Sequence, residues 1–368
     1  MELVVRKSDL LKELSLLQGI VERKNTIPIL ANVLIEASGA DVSLLATDLD
    51  VGLRSRCEAT VAKPGTLTLP AKKLFEIVGA LPDTDIRIEE EKGGKTVTVA
   101  ADRFESRIQT LPASEFPTPP QDAGPAEASL PGAALKRMIS HTRFAITSED
   151  TRYFLNGAQL VLRPDSMSMV ATDGHRLAFI SVHESAGGEA KSEVLLPRKT
   201  LNEVARLIDG GEAVEFSQGE NHLFFRSGHR LLISRKIDAN FPAYERVIPK
   251  SNDKRIDFDR DRLAAAVRRV RLLSNERSKA VKFVMGKDQV EITSSTPEVG
   301  EAREMLPVDY AGGAMQICFN ADYVDNFLSV VETDGVQLEF KDEMSQAVMK
   351  PVGGDGYDYT YVIMPMRI

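Results

Sequence analysis

A chain of 368 residues has room for two or three domains at about 150 residues each, and 43% apolar with 27% charged residues is the makeup of a folded globular protein, not a disordered or fibrous one. Its two cysteines, Cys57 and Cys318, lie far apart with no clustered histidines, which excludes a disulfide framework and a zinc ligand set and fits a reducing compartment. The net charge of −8 argues against a surface that coats nucleic acid all over, and neither a secretion signal nor a membrane span is expected, because charge enters by Glu2 and no apolar stretch is long enough.

In chain order, Leu10, Leu14, Leu17 and Val21 have helical spacing, so the chain is expected to open with a helix. Alternating runs at Val33–Glu36, Val42–Leu45 and Thr96–Val99 predict antiparallel strands, with a second helix starting at Ala71 just after Leu69-Pro70. Prolines 117, 119, 120 and 125 mark a linker over 117–128. The series then starts again. Leu135, Met138, Ile139 and Thr142 predict a helix, and Leu196-Pro197 precedes another at Arg198. After a linker near 245–254, Leu263, Val267 and Val270 predict a third opening helix, and Phe319-Asn320 precedes a helix at Ala321.

The restart is an internal repeat. Ala46-Thr47-Asp48 returns 125 residues later as Ala171-Thr172-Asp173, and Phe116-Pro117 returns as Phe241-Pro242 and, more faintly, as Met364-Pro365. A period this long means whole domains in tandem. Two helices and about eight strands per copy make each an α+β domain.

Charge is unevenly divided. The six helical stretches carry +11, so within a total of −8 the remainder carries −19. On the outer faces, Arg268 and Arg269 of the third copy, Lys12, Ser15 and Gly19 of the first, and Arg137, Ser140 and His141 of the second mix small and basic residues, a pattern suited to phosphate contact without base reading. Aromatic residues are few there, which disfavours base stacking.

Catalytic signals are thin. Thr172-Asp173-Gly174-His175-Arg176-Leu177 pairs an Asp with a nearby His, but no nucleophile elbow, P-loop or metal-ligand spacing accompanies it, and Asp-Gly is an ordinary turn pair. Gly210-Gly211 and Gly353-Gly354 read as turns. Asp48, Asp50, Asp83 and Asp85 read as solvated turn residues, not metal ligands. No cofactor is expected.

Several strings together resemble the bacterial DNA polymerase III beta subunits, the sliding clamps: Arg152-Tyr153-Phe154-Leu155-Asn156-Gly157, Ala171–Leu177, Leu196-Pro197-Arg198-Lys199, Phe241-Pro242 with Arg246-Val247-Ile248-Pro249, Leu273-Ser274-Asn275-Glu276 and Val362–Ile368. The likeness spans the whole chain. It implies three clamp domains (1–121, 129–245 and 247–368) in a head-to-tail dimeric ring around duplex DNA. The ring would be a non-enzymatic cytoplasmic processivity factor that holds the replicative polymerase alpha subunit, clamp-loader subunits, other polymerases and repair proteins through their short linear motifs.

The resemblance also implies sites. DNA-facing positions would be Lys24, Lys72, Arg152, Tyr153, Arg198 and Lys199. A partner-peptide cleft would use Leu155, Thr172, Gly174, His175, Arg176, Leu177, Pro242, Arg246, Val247, Asn320, Tyr323, Met344, Val362, Met364, Pro365, Met366 and Arg367, with His175, Arg176, Arg246 and Arg367 as polar contacts at its rim. Phe154 and Ile368 depart from the usual tyrosine and leucine. Ring closure is expected between edge strands, with Arg103 and Arg107 facing Glu298, Glu301 and Glu304 around an apolar centre of Ile108, Leu272 and Leu273. Two other classes remain: an open monomeric DNA-binding adaptor, and a hydrolase built on Asp173 and His175.

Overall fold

The computed structural model describes residues 1–21, 26–120, 124–147, 150–187, 192–208 and 211–367. Lys24, Gly210 and Ile368 lie outside them.

The first copy contains β1 (Glu2–Arg6), α1 (Lys7–Ile20), β2 (Asn32–Ser38), β3 (Asp41–Thr47), β4 (Val51–Lys63), β5 (Gly65–Pro70), α2 (Ala71–Ala80), β6 (Asp85–Glu90), β7 (Thr96–Ala101) and β8 (Phe104–Gln109). The second contains β9 (Ala128–Leu130), α3 (Gly132–Thr142), β10 (Gly157–Leu162), β11 (Met167–Thr172), β12 (Arg176–Val182), β13 (Ser192–Pro197), α4 (Arg198–Leu207), β14 (Val214–Gln218), β15 (His222–Ser227) and β16 (Arg230–Arg235). The third contains β17 (Lys254–Asp259), α5 (Arg260–Val270), β18 (Ala280–Gly286), β19 (Gln289–Thr296), β20 (Gly300–Pro307), β21 (Met315–Asn320), α6 (Ala321–Val330), β22 (Gly335–Phe340), β23 (Ala347–Val352) and β24 (Tyr357–Ile363).

The order strand, helix, four strands, helix, three strands therefore occurs three times. A short strand, not the expected helix, opens each copy. The second helices begin at Ala71, Arg198 and Ala321, as their sequences predict. At the last of these the Asn320 side chain accepts from the backbone N–H groups of Asp322 and Tyr323, satisfying donors that a helix start leaves open.

The chain forms two compact units. One comprises Met1–Ala133 and Lys199–Lys236. Its sheet runs β8-β7-β6-β1-β4-β16-β15-β14-β9, with β2, β3 and β5 branching from β4, and passes from the first copy into the second where Leu53 faces Leu232 and Gly52 faces Ile233. α1 buries Leu10, Leu14, Leu17 and Ile20 in the core, and with them Glu13. The other unit comprises Ala134–Arg198 and Ile237–Ile368. It holds the sheet β13-β10-β11-β12-β24-β23-β22-β17, joined between copies at β12 and β24, and the sheet β20-β19-β18-β21. Leu263, Val267 and Val270 of α5 are buried as expected. β8 and β20 each end a sheet.

The outer helix faces differ from expectation. His141 is 1% exposed, packed edge-on against Tyr357 and Tyr359, and Arg137 sits over the Tyr357 ring with an ion pair to Glu332, so this face of α3 is buried by the third copy. Gly19 is pressed by Glu203 and Arg206 of α4, and Arg206 donates to the Ser15 carbonyl. Arg268 and Arg269 do face outward, but Asp325 and Glu304 pair with them. Cys57 is half-buried, and burial pushes its thiol up to about 12. Asp48 is not solvated: its side chain is 5% exposed.

Candidate functional site

The repeated Thr-Asp pair builds the same turn twice. Between β3 and β4, Asp48 Oδ1 accepts from the backbone N–H of Asp50 and Val51, while Thr47 Oγ1 accepts from Leu49 N–H and donates to the Val51 carbonyl. Between β11 and β12, Asp173 Oδ1 accepts from His175 and Arg176 N–H, and Thr172 Oγ1 accepts from Gly174 N–H and donates to the Arg176 carbonyl. Both turns need a left-handed residue, Leu49 at φ 83° and Gly174 at φ 86°. Asp173 therefore holds backbone and does not orient the His175 imidazole, which is exposed. The hydrolase reading loses its acid–base pair.

Arg176 leaves this turn inward. Nε donates to Asp173 Oδ2 at 3.0 Å, Nη1 to Asn326 Oδ1 at 2.6 Å and Nη2 to the Phe144 carbonyl at 2.5 Å, while the guanidinium lies 4.2 Å over the Tyr323 ring. Only 9% of its side chain is exposed, so it is a support, not the expected rim contact. Asn320 is likewise committed, capping α6 and donating to the Ser278 carbonyl.

Beside the turn, Leu177 faces Val362 across the β12–β24 pairing, and with Val170 and Val348 they form an apolar floor. Phe179, Phe241, Tyr244, Val247 and Ile248 pack against it half-buried, Tyr244 stacking on Phe179 at 5.5 Å. Of this wall the sequence singles out only Val247; the Phe241-Pro242 string points to it without fixing which side chain turns inward. Burial pushes the Tyr244 hydroxyl up, so it stays a neutral hydrogen-bonding group. The tail after β24 is pinned at two points, Met364 N–H to the His175 carbonyl at 3.0 Å and Met366 N–H to the Cys318 carbonyl at 2.8 Å. Met344 and Met364 are exposed large apolar residues, Pro365 and Met366 are half-buried, and His175, Gly174, Pro242, Arg246 and Arg367 are exposed. Leu155 is buried at the end of the Asp150–Leu155 turn.

The expected DNA-facing residues divide. Lys72 and Tyr153 are open to solvent, with 71% of the Lys72 side chain and 59% of Tyr153 exposed. Arg152 lies against Gly174, where an added Cβ would come within 2.6 Å of its Nη1. Arg198 is exposed and donates to the Ile146 carbonyl. The Lys199 ammonium pairs with Asp48 and donates to the Ile20 carbonyl at the end of α1, so it ties the second copy to the first.

The expected closing residues also shift. Arg103 and Glu298 sit in turns, not on strands. Arg107 pairs with Glu91 at 2.9 Å, and Glu304 accepts two hydrogen bonds from Arg269. Phe104 is 42%, Leu272 76%, Val299 66% and Met305 48% exposed, while Ile108 and Leu273 are half-buried. Among the described residues no group of three His, Cys, Asp or Glu side chains could hold a metal, and no helix is long and apolar enough to cross a membrane.

Three copies of one α+β domain, bearing an apolar surface bordered by a pinned tail, define a binding platform. Residues 1–120, 129–243 and 245–367 match, in turn, the N-terminal, central and C-terminal domains of the DNA polymerase III beta subunit. The chain is 38% identical to the beta sliding clamp of Pseudomonas putida and 34% identical to that of Escherichia coli, covering 100% of both sequences in each case. Its fold matches a Pseudomonas aeruginosa DnaN sliding clamp bound to griselimycin with a TM-score of 0.92 at 36% identity, and the Caulobacter crescentus DNA polymerase sliding clamp with 0.91 at 36%, each over 100% of both chains. The chain belongs to the DNA polymerase III beta subunit family, the beta sliding clamps, which are non-catalytic processivity factors in DNA replication.

Proposed function

We propose that two copies of this chain close head to tail into a ring that encircles duplex DNA in the cytoplasm and tethers the replicative polymerase. The domains would be 1–121, 129–245 and 247–368. What carries this reading is the pair of open sheet edges, β8 in the first copy and β20 in the third. Each offers unpaired backbone groups, and pairing one with the other would remove both edges. Phe104 and Ile108 on β8, with Leu272, Leu273, Val299 and Met305 on or beside β20, supply apolar surface for that joint. Arg107 and Glu304 already have partners within the chain, so ion pairs across the joint with Arg103, Glu298 and Glu301 would add orientation more than affinity.

Tethering needs no chemistry: a polymerase held on the ring rebinds the primer end faster than it diffuses away. The surface around Leu177, Val362, Val247 and the Met364–Arg367 tail is the docking cleft for short linear segments of the polymerase alpha subunit, clamp-loader subunits, other polymerases and repair proteins. Methionines at its border can repack around related side chains. Lys72, Arg152, Tyr153 and Arg198 are the DNA contacts in this reading.

Loading onto covalently closed circular DNA tests the ring. Retention on the circle and loss on linearisation are expected, together with a solution mass near twice 40.4 kDa. A stable monomer, or equal retention on both DNA forms, would favour the open adaptor. Ile108→Asp with Leu272→Asp should yield monomers.

A further inference from the structure

We propose that Arg176 is a positioning residue for the cleft, setting the shape of the surface a peptide meets without touching the peptide itself. The inference rests on the cleft reading above. Arg176 gathers three separate segments: its own turn through Asp173, the stretch after α3 through the Phe144 carbonyl, and α6 through Asn326 and the Tyr323 ring. Each contact points a different way, and the planar guanidinium serves all of them at once, which a lysine ammonium on a flexible stem does not.

What it fixes is the platform next door. His175, one residue away, is exposed and its carbonyl receives the Met364 amide, so the turn holds the start of the tail. The backbone of Leu177, next on the other side, leads into the strand whose side chains make the floor with Val362. Tyr323, under the guanidinium, receives the Tyr361 hydroxyl on its carbonyl, which ties β24 to α6 just before the tail leaves it. Floor, turn and tail thus share one buried charge. With 9% of the side chain exposed, a ligand finds almost none of it.

The test uses the full-length dimer and a synthetic peptide cut from the clamp-binding segment of the polymerase alpha subunit, with a second peptide whose acidic side chains are amidated. Arg176→Ala is expected to weaken both peptides equally, by about tenfold and mostly in dissociation rate, and to speed hydrogen exchange at the Met364 amide. Arg176→Lys should not rescue either effect. Asn326→Ala, which removes one acceptor and is milder should Arg176→Ala fail to fold, is expected to give the same pattern at about threefold. A loss confined to the acidic peptide would mean direct contact and overturn the proposal. So would unchanged affinity with only a lowered melting temperature. If instead Leu177→Asp leaves peptide affinity intact, the cleft reading itself fails, whatever Arg176 does.

Discussion

Arg230 donates Nε and Nη2 to the two carboxylate oxygens of Glu13, at 2.9 and 2.7 Å, with 6% and 3% of the two side chains exposed. The pair joins the first helix of the first copy to the last hairpin of the second inside one unit. Burial by itself would raise the Glu13 carboxyl, but the hydrogen bonds and charge of Arg230, helped by His229, hold it below the usual carboxylate range. Removing one partner strands a buried charge, so Arg230→Ala should lower stability by about 3–5 kcal/mol, whereas Glu13→Leu with Arg230→Met should be close to neutral. Because the folded-state value is depressed, the contribution is present above the ordinary glutamate range and is lost as pH falls below it. Urea melts of the three proteins at pH 7 and pH 4 measure both effects; equal costs for single and double variants would contradict the assignment.

The two Thr-Asp turns offer a matched comparison. Leu49 adopts the left-handed conformation that Gly174 adopts freely, and a side chain there costs about 1–2 kcal/mol. Leu49→Gly should therefore stabilise the protein, by up to about 1 kcal/mol after the added chain entropy. Gly174→Ala should destabilise by about the strain of a side chain at positive φ, since the Arg152 guanidinium that its Cβ meets is the end of a flexible side chain and can swing aside. Denaturant midpoints decide; a destabilised Leu49→Gly would mean that the Leu49 side chain, 49% exposed, has a packing role in the assembled protein.

The repeat and the helix starts are legible in the sequence because they are written locally: helical spacing in the openers, Pro or Asn at the ends of β5, β13 and β21, Thr-Asp at the turns. What packs on a helix's second face is not local. Arg137, Ser140 and His141 have the composition of a basic outer face, and only the β23–β24 hairpin arriving from more than 200 residues away makes that face a core. Lys199 reads as an uncommitted basic residue for the same reason, since its partner Asp48 lies 151 residues back. The apolar cleft residues are visible through the family strings, while Val170, Phe179, Tyr244 and Val348 are ordinary strand or linker residues until the sheet brings them together.

His141 gives the junction of the second and third copies a pH dependence. Burial lowers its pKa against the opposing pull of the Arg137 carbonyl, and its Nε2 has no hydrogen-bond partner. A histidine held neutral in the folded state contributes fully above its unfolded value of about 6.5, and that contribution falls as pH drops toward the folded value. Stability should decline as pH falls below about 6.5, and His141→Phe should flatten that segment of the curve. An unchanged slope in the variant would assign the decline elsewhere.

Salt dependence separates the basic residues. Lys199 is occupied by Asp48 and the Ile20 carbonyl, so Lys199→Ala should lower stability and leave the salt slope of DNA binding unchanged. Lys72, exposed and 3.9 Å from Glu76 as a loose surface pair, is available to phosphate, and Lys72→Ala should reduce the slope by about one for each phosphate it neutralises. The slope of log affinity against log salt for a short duplex reads this directly. A reduced slope for Lys199→Ala would show that DNA displaces Asp48.

The tail is the sharpest test of the cleft. Residues 364–367 are held by two backbone bonds, at Met364 and Met366, and they border the floor made by Leu177 and Val362. β24 ends at Ile363, so deleting residues 364–368 removes no strand pairing, and neither sheet edge proposed for ring closure depends on it. Dimer mass and retention on circular DNA should stay as they are. Binding of the polymerase-derived peptide should fall by about 2 kcal/mol or more, the scale of removing a hot-spot side chain. Met364→Asp, which keeps the backbone bonds and puts a charge on an apolar border, should give most of that loss without shortening the chain. Full affinity in the truncated protein by calorimetry would place the peptide elsewhere on the ring, and loss of the dimer in the same protein would mean that the tail supports β20 through β21, where the Cys318 carbonyl holds Met366.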